Sequence, residues 1–232
     1  MNEVRLSSRL KAAAELIPLG ARFADVGTDH GLVPAYLAQS GRASFIAASD
    51  IRPGPLASAE KTAREYGVEN RIDFRLTDGL CGMEELSLDA VLIAGMGGET
   101  IAAILRNAPW TGNGNVTLIL QPQSKLPEMS EALSELHKPV TDARLVRDAG
   151  RLYIIMKASG RGEYAPSEAE KYAPRQLLLN HDALLSEYID MLISRFSKTS
   201  AALASAGRKD EKLLTALAGL SEMKKETEKW TR

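Results

Sequence analysis

The sequence predicts an α/β fold: a mainly parallel sheet that ends in an antiparallel hairpin, followed by a pair of C-terminal helices. Three observations carry this expectation. Through residue 160, short runs rich in Val, Ile and Leu alternate with amphipathic stretches, the pattern of strand–helix–strand repeats. Ala149-Gly150 joins two extended runs by a link short enough for a hairpin. Beyond residue 160 the apolar spacing is helical and no strand-like run remains. The expected division is therefore a sheet domain over residues 1–160 and a helical arm over residues 161–232.

Leu6 to Ile17 reads as a helix closed by Pro18 and Gly20. Strands are expected at Arg22–Val26, Ser44–Ser49, Ile72–Leu76, Ala90–Ala94 and Val116–Leu120. Helices fit at Val33–Gln39, Pro55–Tyr66, Glu99–Asn107 and Leu126–His137. The hairpin strands are Val140–Asp148 and Arg151–Ala158. In the arm, Leu185, Ile189, Leu192, Phe196, Thr199 and Leu203 step by four and three. A second set, Leu213, Ala216, Leu220, Met223, Thr227 and Trp230, steps by three and four. These heptad seams break near Gly207, so two helices should fold on each other as an antiparallel coiled-coil hairpin. Such an arm can pack, dimerise or touch a substrate, and the spacing alone does not choose among these.

Composition narrows the function classes. The 232 residues are 44% apolar and 25% charged, which excludes disorder throughout and a collagen-like chain. The single Cys81 cannot form an internal disulfide, so a reducing, cytoplasmic compartment is expected, with Cys81 as a small buried hydrophobe beside a pocket at the end of the third strand. Met1 to Lys11 is polar and is not followed by an apolar signal core. Ala90 to Gly98, the longest uncharged apolar stretch, is too short to span a bilayer, so no membrane association is expected. His137 and His181 stand apart from ligand-spaced cysteines and carboxylates, and no metal site is expected. With 29 basic and 30 acidic residues, the chain is not a uniformly basic nucleic-acid binder. Any RNA contact must come from local patches: Arg5, Arg9 and Lys11 near the start, or Lys198, Arg208, Lys209 and Lys212 at the hairpin tip.

The sharpest local signal is Asp25-Val26-Gly27-Thr28-Asp29-His30-Gly31, directly after the first strand. Gly27 and Gly31 allow a tight turn and a close backbone approach to a ligand, and the turn opens a helix N-terminus. The dinucleotide fingerprint Gly-x-Gly-x-x-Gly is absent. The acidic Asp25 would repel a pyrophosphate but can hold an ammonium group. The second strand ends in Ser49-Asp50-Ile51, where a carboxylate can accept both hydroxyls of a ribose. The third ends in Asp78-Gly79-Leu80, placed to take an adenine amine and cover its face. A single strand-end Asp is often only a helix cap. Three at consecutive strand ends describe a ligand with an adenosine and a charged amino-acid group but no phosphate. S-adenosylmethionine fits that description, while NAD and ATP do not.

The fourth strand runs into Ala94-Gly95-Met96-Gly97-Gly98, a corner that either packs tightly or admits a bulky ligand. Asp/Asn-Pro-Pro-Tyr, the motif of enzymes that methylate exocyclic amines, is absent there, which leaves ring nitrogens open. Tyr36, Trp110 and Pro122 are candidate faces for an extruded base, with core packing the alternative for each.

With these residues in hand, the chain resembles the bacterial tRNA (adenine-22-N1)-methyltransferase family. The resemblance runs from Leu6-Ser7-Ser8-Arg9-Leu10 through Asp25–His30, Ile93–Gly98 and Leu118-Ile119-Leu120-Gln121-Pro122 into the helical tail. It implies a class I methyltransferase (Rossmann-like) fold, S-adenosylmethionine as donor, N1 of a tRNA adenine as acceptor, and an arm that helps hold the tRNA. The family pattern after strand five reads Gln-Pro-Asn, where this chain has Gln121-Pro122-Gln123.

The expected catalytic residues are Asp29, to stabilise charge developing on the base or to accept a hydrogen bond from its amino group, and His30, to orient Asp29 or contact the tRNA. A bare helix-capping role is the alternative for His30. The expected cofactor-binding set is Asp25, Gly27, Thr28, Gly31, Asp50, Ile51, Asp78, Gly79, Leu80, Ala94, Gly95, Met96 and Gly97. Arg5, Arg9, Gly98, Gln121 and Pro122 are the expected substrate contacts, and a monomer is expected. A methyltransferase acting on another RNA, a protein or a small molecule is the alternative enzyme. A non-catalytic RNA-binding protein is the alternative from another class.

Overall fold

The computed structural model describes residues 3–231. Seven strands form one sheet in the order β3-β2-β1-β4-β5-β7-β6. They are β1 (Ala21–Val26), β2 (Ala43–Asp50), β3 (Asp73–Leu76), β4 (Ala90–Gly97), β5 (Thr117–Ser124), β6 (Val140–Asp148) and β7 (Arg151–Ala158). The first five run parallel, and β7 lies antiparallel to both β5 and β6. The hairpin expected around Ala149-Gly150 is therefore present, with both residues at positive φ.

Successive residues of the central strands alternate between two apolar layers, as the two-residue side-chain period requires. Val91 and Ile93 join the cluster on one face of the sheet, while Ala90 and Leu92 join the other. Helices α1 (Ser8–Glu15), α2 (Leu32–Ser40) and α3 (Pro53–Glu65) cover the second face. Helices α4 (Gly98–Arg106) and α5 (Leu126–Glu135) cover the first. Burial of both faces explains why the parallel strands read as continuous apolar runs.

The arm departs from the two helices expected. A short α6 (Arg175–Leu179) precedes α7 (Leu185–Ser205) and α8 (Glu211–Glu228). Five residues lie between α7 and α8; Gly207 takes a φ of 68°, and the Asp210 side chain accepts from Leu213 N to cap α8. The second seam holds through Leu213, Ala216, Leu220, Met223 and Thr227, all buried. The first is buried at Leu185, Ile189, Leu192 and Phe196 but opens at Thr199, which is exposed. Apart from the two threonines, these arm residues belong to the same apolar cluster as β4, β5 and α5.

Polar ties fix the arm's root to β6. Leu145 N donates to Asp182 Oδ2 at 2.9 Å, Gln176 Nε2 to the Val140 carbonyl at 2.6 Å, and Asn180 Nδ2 to Asp142 Oδ1 at 2.7 Å. His181 stacks on Trp230 with ring centroids 4.6 Å apart, closing α8 back on the root. Among the described residues no helix is long and apolar enough to cross a membrane. None of their His, Cys, Asp and Glu side chains form a group of three or more able to hold a metal ion.

Candidate active site

The strand order reverses between β1 and β4, and ligands of open α/β sheets bind at the carboxyl ends beside such a reversal. Here those ends are stitched together. Gly27 N and Thr28 N both donate to the Ser49 carbonyl, at 2.8 and 2.9 Å, and Thr77 N donates to the Asp50 carbonyl at 3.0 Å. The loops after β1, β2 and β3 are thereby held side by side. A cavity of about 810 Å³ lies over them.

Gly27, Asp50, Ile51, Asp78, Gly79, Leu80 and Met96 line that cavity, so seven of the expected cofactor residues meet in one place. Gly27 has a φ of 71°, and a Cβ there would fall 2.1 Å from Met96 Cε. Only glycine lets the Met96 thioether lie across the loop. Asp50 Oδ1 accepts from Arg52 N at 2.9 Å, while Ile51 stands 60% exposed at the rim.

Asp25 is buried beneath the loop and accepts from Thr28 Oγ1 at 2.8 Å. Burial raises its pKa to about 7; the Thr28 hydrogen bond opposes that rise, and the nearby Asp50 charge adds to it. A buried carboxylate of this kind gains most from a cationic ligand. Gly31 is the αL residue that starts α2, and its Cβ would strike Ala59, so its glycine serves packing between α2 and α3.

Asp29 and His30 lie beside the cavity, both side chains about two-thirds exposed, with Asp29 Oδ2 3.6 Å from His30 Nε2. Asp29 holds a φ of 47°, a strained conformation that Asp tolerates better than most residues. His30 does not cap α2; its Nδ1 lies 3.1 Å from Ser58 Oγ on α3.

The fourth corner is organised by Gln121. A register shift in β4 between Ala94 and Met96 leaves Gly95 at a φ of 79°, its N–H donating to Gln121 Oε1 at 3.1 Å. The same oxygen accepts from Arg9 Nη1, and the Gln121 amide donates to the Pro122 carbonyl at 3.1 Å. Arg9 also lies over the Tyr153 ring, 5.4 Å from its centroid.

Several expectations change accordingly. Gln121 is fully buried, and its amide bonds Gly95 N–H and the Pro122 carbonyl, so it positions the Gly95 turn. Arg9 is half-buried on the same tie, while Arg5 is exposed. Gly98 is buried, and a Cβ there would fall 2.0 Å from the Lys125 oxygen, so the close approach is to the chain's own backbone. Ala94 and Gly97 lie on β4 outside the cavity lining, and Gly97 contacts Ser124. Cys81 is exposed on the cavity wall, not buried. Trp110 lines the cofactor-side cavity, and Tyr36 packs into the apolar cluster on the α2 face, so neither stands at the Gly95 corner.

Arg52, Thr77, Glu84 and one face of α4 complete the cavity and were not expected. That face, Thr100, Ala103, Ile104 and Asn107, follows three-residue and one-residue steps, a helical spacing legible once α4 is known to edge the site.

Comparisons with known proteins match this geometry. Residues 6–156 match the family model described as a methyltransferase domain. The chain is 37% identical over 158 residues to the tRNA (adenine(22)-N(1))-methyltransferase of Bacillus subtilis, across 68% of this chain and 66% of that relative, just under two thirds of its length. The solved structure of the B. subtilis M1A22 tRNA methyltransferase aligns over 98% of this chain and 99% of its own, at 27% identity and a TM-score of 0.78. A Streptococcus pneumoniae structure, described as a putative tRNA (m1A22) methyltransferase in complex with S-adenosyl-L-methionine, aligns over 95% of this chain and all of its own. Its identity is 26% and its TM-score 0.80.

Proposed function

The chain belongs to the methyltransferase-domain family, and from that premise we propose that it methylates N1 of adenine 22 in tRNA, using S-adenosylmethionine. The observation that carries this reading is the acidic crevice: buried Asp25, with Asp50 and Asp78 at the next strand ends, around a cavity of about 810 Å³. That donor set suits an amino acid joined to an adenosine and disfavours a phosphate. Asp25 would hold the ammonium group, Asp50 the ribose hydroxyls, and Asp78 the adenine amine. Leu80, Ile51 and Ile104 would enclose the ring. The bound cofactor supplies an activated methyl group on a cationic sulfur, which leaves alignment to the protein.

Adenine N1 carries a lone pair and no proton, so no general base is needed. Positive charge grows on the ring as N1 is alkylated, and the Asp29 carboxylate beside the glycine loop offsets it. His30 keeps Asp29 oriented through their 3.6 Å contact and is itself steadied by Ser58. Gln121 holds the Gly95 turn that borders the acceptor position, with Arg9 locking the amide from the other side. The base must leave its stack to reach this corner, at a cost of a few kcal/mol.

We read residues 161–232 as an arm of this enzyme, working on tRNA as a cytoplasmic monomer without a metal. The apolar seams of α7 and α8 are used within the chain, which supports the monomer. Incubation with S-adenosylmethionine and unmodified tRNA, followed by nucleoside mass spectrometry, should yield 1-methyladenosine. Well-folded protein that leaves tRNA unmethylated contradicts this reading.

A further inference from the structure

A second cavity, about 670 Å³, lies between the β5–α5 corner, the start of β7 and helix α7, and shares no lining residue with the first. One of its lining residues is Gln123, whose Nε2 lies 3.7 Å from where a Cβ on Gly95 would sit, so the groove reaches the Gly95 turn. Two of its cations, Arg151 and Arg195, are exposed, and among the described residues neither makes an ion pair. At the arm's tip, Lys209 pairs with Glu211 at 2.7 Å and Lys212 lies 3.9 Å from Glu131, while Lys198 and Arg208 are exposed.

Glu128 is the groove's one carboxylate, and its Oε1 lies 3.5 Å from Lys125 Nζ. Tyr153 also lines the groove, and the buried Phe196 ring lies 5.0 Å from the Arg195 guanidinium carbon.

We propose that this groove holds the stretch of tRNA flanking the methylated base. Arg151 and Arg195 bind its phosphates. The proposal rests on the tRNA reading above, and it places an RNA contact at the arm's root.

The test measures affinity of the full chain for an unmodified tRNA transcript across a salt series, beside S-adenosylmethionine affinity by calorimetry. Arg151→Gln with Arg195→Gln should weaken tRNA binding at least about tenfold near physiological salt. The log–log salt slope should become shallower by about two, one per lost phosphate contact. Cofactor affinity and melting temperature should stay at wild-type values. Should the double variant melt early, each single variant should shift the slope by about one.

If wild-type protein methylates tRNA while the folded arginine variants bind it with wild-type affinity and slope, the groove is not the RNA site and the methyltransferase reading survives. Wild-type protein without affinity for tRNA removes both.

Discussion

The crevice at the ends of β1, β2 and β3 and the groove beneath α7 lie on one sheet but carry opposite charge. The crevice lining has Asp50, Asp78 and Glu84 against a single Arg52, with Asp25 buried below. The groove has Lys125, Arg151 and Arg195 against a single Glu128. A net charge of −1 thus hides two local fields, one suited to a cationic cofactor and the other to a polyanion. The separation keeps phosphates out of the cofactor crevice. The two regions are also built differently. The crevice is made of strand-end loops joined by short backbone hydrogen bonds, whereas the groove exists only because α7 packs back onto the sheet.

The largest effect expected on this contrast comes from Asp25→Asn. It should cost at least about a hundredfold in S-adenosylmethionine affinity, since a buried charge partner is lost, and leave tRNA affinity unchanged. The same substitution should stabilise the protein without cofactor. Asp25 has a folded pKa near 7 against an ordinary value of 3.8, so the unfolded chain releases this proton first. Stability contributed at low pH is therefore lost as pH rises from about 4 to 7, by on the order of 4 kcal/mol in all. Thermal melts should show Asp25→Asn above wild type at pH 8 and level with it at pH 4. Equal melting temperatures at pH 8 would mean that burial does not raise the Asp25 pKa.

Next in size is Asp29→Ala. Single-turnover rates should fall about thirtyfold, near 2 kcal/mol in barrier, with cofactor affinity kept. A loss under twofold would end the catalytic assignment. Cofactor affinity itself should fall as pH drops below 7, approaching tenfold per unit, because Asp25 must give up its proton to pair with an ammonium group. In Asp25→Asn that dependence should vanish. The smallest change expected is in Gln121→Leu, which frees the Gly95 turn: kcat should fall about fivefold with KM for tRNA little altered. A rise in KM alone would instead mean that Gln121 meets the substrate.

The two regions were not equally legible in the sequence. Strand-end acids and the glycine loop announce themselves locally, so Gly27, Asp50, Asp78, Gly79 and Leu80 are found where a nucleoside-binding sheet needs them. The hairpin at Ala149-Gly150 and the second arm seam follow from turn chemistry and periodicity. Readings that depended on packing fared worse. Gly98 resembles a ligand-contact glycine in sequence, but only the fold brings Lys125 against it. Gln121 resembles a substrate contact until Arg9, 112 residues away, reaches its amide. Trp110 gave no local hint that it would line the cofactor crevice, whereas Cys81 stands beside the pocket as expected but exposed. The groove has no motif at all, because its walls come from α5, β7 and α7.

The division of labour is tested most directly by measuring both ligands on two variants, Asp25→Asn and Arg151→Gln/Arg195→Gln. Each should lose affinity for one ligand and keep it for the other: the first for S-adenosylmethionine, the second for tRNA. If either folded variant weakens both ligands alike, the crevice and the groove are not separate sites and the account fails.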